Sequence, residues 1–205
     1  MHRKYKDLVI ATKNKKKKEE ILRLLGKPGL KIWSLADFPN IAPIEEDGFT
    51  FDDNAVKKAT VAARETGMLA LADDSGLEVE ALGGKPGVYS ARYAGPDAND
   101  EMNNRKLLHE LKGMPMEKRR ARYKCSVALA EPDGNFKITR GECFGLIATS
   151  PKGNTGFGYD PIFIIPRYAK TVAELGPKVK DKISHRSEAV YQARRIIMRH
   201  VATVS

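Results

Sequence analysis

The feature that most constrains the fold of this chain is an alternation of short apolar runs with helical periodicity over residues 8–72. Apolar runs at Leu8–Ala11 and Met68–Ala72, and the segment "LKIWSL" between them, predict buried strands. Lys15–Leu25 and Thr50–Thr66 carry apolar residues at helical spacing and predict helices. This part of the chain therefore predicts a βαβαβ pattern, which is typical of helices packed on a sheet.

The later part of the chain predicts a different strand arrangement. Two long segments, "ARYKCSVALA" and "FKITRGECFGLIAT", flank the turn "EPDGN" and predict an antiparallel hairpin. Further predictions are a loop at Leu82–Asp97, a helix at about Asn99–Lys112, a strand at "DPIFII" and a helix opened by Ser184. Together these signals predict an α/β fold with a mixed sheet. Because no repeat or linker interrupts the chain, residues 1–205 are predicted to form one domain.

The charge balance restricts the class of partner. Lys and Arg number 36 against 26 acidic residues, a formal net charge of +10, which favours nucleic acid, a membrane surface or nucleotides. No apolar run approaches the roughly 18 residues of a membrane span, and the N-terminus lacks a signal-peptide pattern. A cytoplasmic protein without a membrane partner is predicted. Cys125 and Cys143 have no zinc-binding spacing and are predicted to be free thiols.

A run of five lysines lies between Lys13 and Lys18, where the first helix begins. Lys15 and Lys16 lie four residues before Glu19 and Glu20, so they can pair with those acids on the solvated face. This spacing favours an ordinary solvated charge run for part of the segment.

Lys17 and Lys18 differ, because they lie four residues before the apolar Ile21 and Leu22. They are predicted on the side of the helix that faces the sheet, where α/β proteins bind phosphates. Thr12 or Asn14 can cap the helix and leave other amides to an anion. A phosphate site and a solvated charge run both fit the spacing.

Two acidic segments, "EEDG" (Glu45–Gly48) and "DDSG" (Asp73–Gly76), each place carboxylates at the end of an element. Clustered carboxylates repel one another unless a cation joins them, and Mg²⁺ takes one or two carboxylates plus phosphate oxygens. Strand alternation predicts that Asp73 and Asp74 point to opposite sides, so one of them faces the metal. The alternative is a turn and a solvated loop.

Two later segments contain candidate base-binding residues. In "GFGYDP", Phe157 and Tyr159 can stack on a base, or belong to a glycine-rich turn with its aromatics in the core. In "KISHR", His185 and Arg186 are hydrogen-bond donors at a helix start, or plain surface residues. The chain contains neither a dinucleotide fingerprint nor a P-loop.

Taken in order, five segments resemble the inosine triphosphate pyrophosphatase family, the house-cleaning non-canonical purine nucleoside triphosphatases. They are "ATKNKKKKEEI", "EEDGFTFDDNAVKKA", "ADDSGLEVEALGGKPGVYSARYAG", "GFGYDPIF" and "KISHR". The resemblance implies Mg²⁺-dependent hydrolysis of dITP, ITP and XTP to the monophosphate and pyrophosphate. It also implies an elongated mixed β-sheet flanked by helices, two lobes with an active-site cleft between them, and a homodimer.

The resemblance further implies roles for individual residues. Glu45 and Asp74 match the metal-binding positions, and Asp74 is also the catalytic aspartate. The phosphate loop falls on Thr12, Asn14 and Lys17, with the backbone amides of Lys13, Lys15 and Lys16. The other substrate-binding positions are Lys58, Ser75, Phe157, Gly158, Tyr159, Asp160, Lys180, His185 and Arg186. Lys180 is chosen over Lys178 because it lies five residues before His185.

The implied base preference has a physical reason. Hypoxanthine and xanthine present an acceptor at the 6-position, where adenine presents a donor, so donors such as His185 and Arg186 suit the keto bases. Two alternatives remain open. One is a pyrophosphatase for other modified nucleotides, and the other is a nucleic-acid-binding protein without catalysis. The acidic segments disfavour the second, because they would repel a phosphate backbone, so no stable nucleic-acid partner is expected.

Overall fold

The computed structural model describes residues 5–201 and forms a mixed α/β fold. The strands of this part of the chain are β1 (Asp7–Ile10), β2 (Lys31–Ser34), β3 (Leu69–Val79), β4 (Arg120–Ala130), β5 (Phe136–Ile147), β6 (Phe163–Ile165) and β7 (Lys170–Thr171). Its α-helices are α1 (Lys15–Leu25), α2 (Phe51–Thr66), α3 (Asp100–Glu110), α4 (Val172–Leu175), α5 (Pro177–Ile183) and α6 (His185–Val201).

The seven strands form one sheet in the order β2-β1-β3-β4-β5-β6-β7. β1 pairs in parallel with β2 and β3, whereas β6 pairs antiparallel with β5 and β7. The predicted βαβαβ pattern and mixed sheet are confirmed. The predicted hairpin is confirmed as well, because β4 and β5 are neighbours joined by the turn in which Glu131 N–H donates to Asn135 O (2.8 Å).

The chain divides into two compact units. One contains residues up to Asp74, residues 125–141 and the chain from Arg186 onwards, and the other contains residues 75–124 and 142–185. The chain passes from one unit to the other within β3, β4 and β5, and again between His185 and Arg186. We call them unit 1 and unit 2.

In unit 1, alternate residues of β1 and β3 face different helices. Leu69 and Leu71 pack with apolar residues of α1 and α6, whereas Ala70 and Ala72 pack with the small residues of α2. Side chains alternate along a strand, so the next positions, Asp73 and Asp74, also point to opposite sides of the sheet, as predicted. This alternation separates the contacts of the two aspartates.

The strand β3 is longer than predicted. The apolar run ends at Ala72, yet the strand continues through the polar "DDSG" segment to Val79. In unit 2, Leu77 and Val79 are buried, and Glu78 accepts a hydrogen bond from Arg122 of β4 (2.7 Å). The carboxylates of Asp73 and Asp74 therefore lie within a strand, not at its end.

The core of unit 2 surrounds a buried arginine. Arg119 is 2% exposed, and its guanidinium donates to three backbone carbonyls, those of Leu111 (2.7 Å), Ile147 (2.6 Å) and Ala148 (2.6 Å). One side chain thereby joins the end of α3 to the end of β5.

We expect Arg119→Met to lower the free energy of unfolding by about 3 kcal/mol. Each buried carbonyl that loses its donor costs about 1–3 kcal/mol, and relaxation of the surrounding structure offsets part of the sum. Urea denaturation measures this loss. Arg120→Met is the matched control, since Arg120 is the exposed neighbour. Equal losses in the two variants would contradict the role of Arg119.

Neither Cys125 nor Cys143 forms a disulfide in the part of the chain that the structure describes, as predicted. Cys125 lies in the core of unit 1, where burial raises the pKa of its thiol to about 12. Within residues 5–201, no helix combines the length and the apolar character needed to cross a membrane.

Candidate active site

The phosphate loop predicted at residues 12–17 is a capped helix start. Asn14 is the N-cap of α1, and its Oδ1 accepts a hydrogen bond from the Lys17 amide (3.1 Å). Thr12 Oγ1 accepts from the Asn14 amide (3.2 Å) and so shapes the approach to the helix. The N-terminal amides of a helix attract anions, which is the role predicted for this loop.

Lys17 faces the sheet, as the spacing predicts. Its Nζ lies 3.3 Å from Asp73 Oδ2, and Asp73 is fully buried. Arg186 Nε donates to the same oxygen (3.2 Å), and Arg186 Nη1 donates to Glu20 Oε2 (2.5 Å). Four charged side chains from α1, β3 and α6 therefore form a cluster behind the phosphate loop.

The charges in this cluster stabilise one another. Burial raises the pKa of Asp73, but Lys17 and Arg186 outweigh that effect and hold the pKa well below its usual value. Burial likewise lowers the pKa of Arg186, but Asp73 and Glu20 raise it overall. Both groups are therefore charged, and the cluster fixes the ammonium of Lys17 beside the sheet.

One prediction changes at this cluster. The spacing predicts Glu20 on the solvated face beside Lys16, but this is wrong, because Glu20 is buried and bonded to Arg186. The Arg186 guanidinium is buried among carboxylates of unit 1, and its contact with a base stays a prediction. The partner of Glu20 lies 166 residues along the chain, beyond the reach of local spacing.

Asp74 points to the other side of the sheet, where α2 holds it. Asn54 Nδ2 donates to Asp74 Oδ2 (3.1 Å), and Lys58 Nζ lies 3.6 Å from Asp74 Oδ1. All three residues are buried. Burial raises the pKa of Asp74 above its usual value, although Lys58 opposes this effect.

Lys58 also joins Asp74 to the acidic loop at residues 45–48. Its Nζ lies 2.8 Å from Glu46 Oε1. Burial lowers the pKa of Lys58, but the Asp74, Asp73 and Glu46 carboxylates raise it overall, so the ammonium stays charged. Glu45, the predicted metal ligand, is exposed, and the structure brings its neighbour Glu46 to Lys58 instead.

The carboxylates of this region suit a divalent cation shared with a phosphate. The carboxylates of Asp74 and Glu46 both approach the Lys58 ammonium, so the space between them already holds one positive charge. Within residues 5–201, however, no three His, Cys, Asp or Glu side chains are grouped as a metal site. The donor set fits an ion such as Mg²⁺, which takes one or two carboxylates and completes its shell with water and phosphate oxygens.

The predicted base-binding segment forms a braced loop in unit 2. Asp160 is buried, and its Oδ2 accepts from the Phe157 amide (2.9 Å) and from Lys180 Nζ (2.6 Å). The same ammonium lies 4.4 Å from the centre of the Phe157 ring. Gly156 has φ +79°, and a Cβ there would lie 2.1 Å from Asp160 Oδ2, so this position requires glycine.

This loop is also attached to α3. Gly158 N–H donates to Asp100 Oδ2 (2.9 Å), and Gly158 O accepts from Asn104 Nδ2 (3.0 Å). Lys180 is buried against Phe157, whereas Lys178 is exposed, which favours the choice of Lys180.

Two aromatic residues support this region from the core. Tyr159 belongs to the core of unit 2, and its hydroxyl donates to Ser90 O (2.9 Å). Its contact with a base stays a prediction. The His185 ring stacks on the Tyr123 ring, with centroids 4.5 Å apart and planes 7° from parallel. His185 is thereby held in a fixed orientation at the start of α6.

The other predicted residues are more accessible. Lys13, Lys15 and Lys16 are exposed, and Ser75, which follows Asp74, is half-buried. The motifs alone do not predict Asn54, Glu46 and Tyr123 as members of these groups. Asn54 and Glu46 do lie in the segment "EEDGFTFDDNAVKKA", which resembles the family.

Comparison with known proteins identifies the relatives of this chain. Residues 8–196 match the model of the Ham1 family. A dITP/XTP pyrophosphatase of Desulforamulus reducens is 52% identical over 192 residues, which cover 94% of this chain and 96% of the relative. A dITP/XTP pyrophosphatase of Geobacter sulfurreducens is 52% identical over 183 residues, which cover 89% and 92%.

Solved structures give the same relationship. A HAM1 protein from Coxiella burnetii has a TM-score of 0.86 and 41% identity, covering 94% of this chain and 98% of that protein. The Ham1 protein of Staphylococcus aureus has a TM-score of 0.84 and 39% identity, with the same coverage.

Proposed function

The chain belongs to the Ham1 family, and from that premise we propose that it hydrolyses dITP and XTP, and ITP as well, to the monophosphate and pyrophosphate. Two relatives at 52% identity are named dITP/XTP pyrophosphatases, which supports this proposal. The single observation that carries it in this chain is the buried Asp74 carboxylate held between Asn54 and Lys58. Such a carboxylate is the group that a hydrolytic water needs.

The residues of unit 1 supply the positive charge for the triphosphate. Lys17 and Lys58 are fixed by buried carboxylates, and the N-terminal amides of α1 are donors that attract an anion. The exposed Lys13, Lys15 and Lys16 add charge at the same helix start. We propose that these groups bind the triphosphate and stabilise the charge that develops on the departing pyrophosphate.

A divalent cation, proposed as Mg²⁺, completes this charge balance. The buried Asp74 carboxylate and the exposed Glu46 carboxylate both approach Lys58 Nζ, so a triphosphate that reaches Lys58 would also meet two carboxylates. A divalent cation between these carboxylates and the phosphate oxygens would offset their repulsion. Asp74 and the acidic loop, through Glu45 or Glu46, would hold the ion. When bound, it supplies Lewis-acid polarisation of the phosphate oxygens.

The chain's own groups then carry out the hydrolysis. Asp74 positions or deprotonates a water for in-line attack on the α-phosphorus. A new bond forms between the water oxygen and the α-phosphorus, and the bond from that phosphorus to the bridging oxygen breaks. Pyrophosphate leaves with the bond electrons, and Lys17 and Lys58 offset its charge. Asn54 and Lys58 hold Asp74 in place during this step.

We propose that the base binds the residues of unit 2. The half-buried Phe157 ring offers a stacking surface, and Lys180 braces it. His185 carries ring nitrogens that can donate to a 6-keto oxygen, and Tyr123 fixes the ring orientation. Adenine presents a donor at that position, so two donors would face each other.

This arrangement predicts the ratio of kcat/KM values between substrates. A buried donor left unpaired costs about 1–3 kcal/mol, so dITP and XTP are expected to exceed dATP by about 10- to 100-fold. Pyrophosphate release from dITP, XTP, dGTP and dATP measures this preference. Equal values for all four would contradict the house-cleaning role, and turnover confined to a pyrimidine or another modified nucleotide would favour the alternative pyrophosphatase.

Two further proposals come from the motifs and the composition. A homodimer is proposed from the family resemblance, and light scattering of the purified protein tests it. A cytoplasmic location is supported by the predicted free thiols and by the absence of a membrane-spanning helix among residues 5–201.

A further inference from the structure

One buried amide in unit 1 has a role that the family motifs do not assign. Asn54 is 1% exposed and lies in the first turns of α2. Its Nδ2 donates to Asp74 Oδ2 (3.1 Å), and its Oδ1 accepts from the backbone N–H of Gly48 (2.8 Å). One side chain therefore contacts both the reactive carboxylate and the acidic loop.

The direction of these two hydrogen bonds is determined by the partners. A carboxylate can only accept and a backbone amide can only donate, so the Asn54 amide satisfies both in one orientation alone. If the amide were flipped, its oxygen would face the Asp74 carboxylate and its NH₂ group would face the Gly48 N–H. Neither aspartate nor leucine at position 54 can replace both bonds.

Asn54 and Lys58 lie one helical turn apart, so their side chains reach the same place. Both connect the acidic loop to Asp74, Asn54 through Gly48 and Lys58 through Glu46. Together they contact both oxygens of the Asp74 carboxylate. The carboxylate cannot rotate without breaking one of these contacts.

The loop side of this connection is closely packed. A Cβ at Gly48 would lie 2.6 Å from Asp53 Cβ and 2.8 Å from Asn54 Oδ1. Residue 48 must therefore be glycine for the loop to approach Asn54. The absence of a side chain at Gly48 is explained by this contact.

We propose that Asn54 is a positioning residue for the hydrolysis, which holds the Asp74 carboxylate and the acidic loop in one fixed geometry. The inference rests on the proposed function, because Asp74 is the group that orients the water. Asn54 itself touches no reacting atom in this account. Its effect is exerted through the direction in which Asp74 points.

Two variants separate this role from simple packing. Asn54→Asp keeps an acceptor for Gly48 but removes the donor to Asp74, and Asn54→Leu removes both bonds. We expect kcat for dITP to fall by about 100-fold in both variants, which is the typical loss for a displaced catalytic group. KM is expected to change little, because Lys17 and the α1 amides are unaltered.

Thr60→Val is the matched control on the same helix. Thr60 Oγ1 is buried and has no hydrogen-bond partner within residues 5–201, so its loss is expected to change kcat by less than about twofold. A tenfold or larger loss in this control would show that α2 tolerates no change, and would overturn a specific role for Asn54.

A second readout does not depend on turnover. In the double variant Asn54→Asp/Asp74→Asn, the amide and the carboxylate exchange places, so the hydrogen bond can form in the reverse direction. We expect its thermal midpoint to lie above the value obtained by adding the two single effects, while kcat stays low. A midpoint equal to the sum of the two single effects would show no coupling and overturn the inferred contact.

The outcomes also distinguish this inference from the proposed function. Failure of the wild-type protein to hydrolyse dITP would overturn both. Wild-type hydrolysis with an unchanged kcat in Asn54→Asp would overturn only the role of Asn54. A lower kcat with an unchanged KM, together with a coupled thermal midpoint, is the result expected here.

Discussion

Replacing Asp74 with asparagine is expected to lower kcat for dITP by about 10²- to 10⁴-fold, the usual range for loss of a general base. The amide keeps the shape of the side chain, and its oxygen can still accept from Asn54 Nδ2. It cannot take a proton from water or bind a cation as strongly. Steady-state kinetics on the purified variant measure the loss.

The fold is expected to tolerate this change. Burial raises the pKa of Asp74, which means that the folded state already disfavours its charge. Removing the charge therefore gives back part of the desolvation cost, and the thermal midpoint should remain within a few degrees of the wild type. Asp47→Asn is the matched control, because Asp47 is an exposed carboxylate of the same acidic loop. Full activity in Asp74→Asn would contradict the assignment of the catalytic residue.

The second large effect is on stability. Arg186→Leu is expected to lower the free energy of unfolding at neutral pH by about 3–5 kcal/mol, because it leaves two buried carboxylates without their guanidinium. Asp73 would keep Lys17 at 3.3 Å, whereas Glu20 would lose its bond to Nη1. Urea denaturation followed by circular dichroism measures the change.

Two further variants test the cause of this loss. Arg195→Leu removes an exposed arginine of the same helix and is expected to change stability by less than about 0.5 kcal/mol. Adding Glu20→Gln to Arg186→Leu removes one of the two buried negative charges that lose the guanidinium, so it should recover part of the lost stability. If the double variant were less stable than Arg186→Leu, the charge explanation would be wrong.

The parts of the fold that depend on neighbouring residues could be predicted from the sequence. Asn14 caps α1 and Lys17 faces the sheet because both depend on positions within one or two helical turns. The opposite directions of Asp73 and Asp74 follow in the same way from the twofold periodicity of a strand. These local rules were sufficient to place the side chains of Asn14, Lys17, Asp73 and Asp74 in the fold.

The length of β3 could not be predicted in this way. The apolar run ends at Ala72, and two aspartates in succession are typical of a strand end. They are tolerated inside the strand because Lys17 and Arg186 neutralise Asp73, and α2 satisfies Asp74. Those partners are distant in sequence, so no local pattern predicts them.

The same limit explains the misplacement of Glu20. Its spacing from Lys16 indicates a solvated pair, but it also lies three residues after Lys17, on the side of α1 that packs inward. A buried acid there requires a cation from elsewhere, and that cation is Arg186. Sequence spacing gives the possible local partners and cannot rank them against a distant one.

The most direct test of the account is the position of an oxygen label after hydrolysis of dITP in H₂¹⁸O. Attack by water on the α-phosphorus predicts one ¹⁸O atom in dIMP and none in the pyrophosphate, as read by mass spectrometry of the separated products. Label in the pyrophosphate would place the attack at the β-phosphorus. Formation of dIDP and orthophosphate, or no hydrolysis at all, would contradict the proposed function.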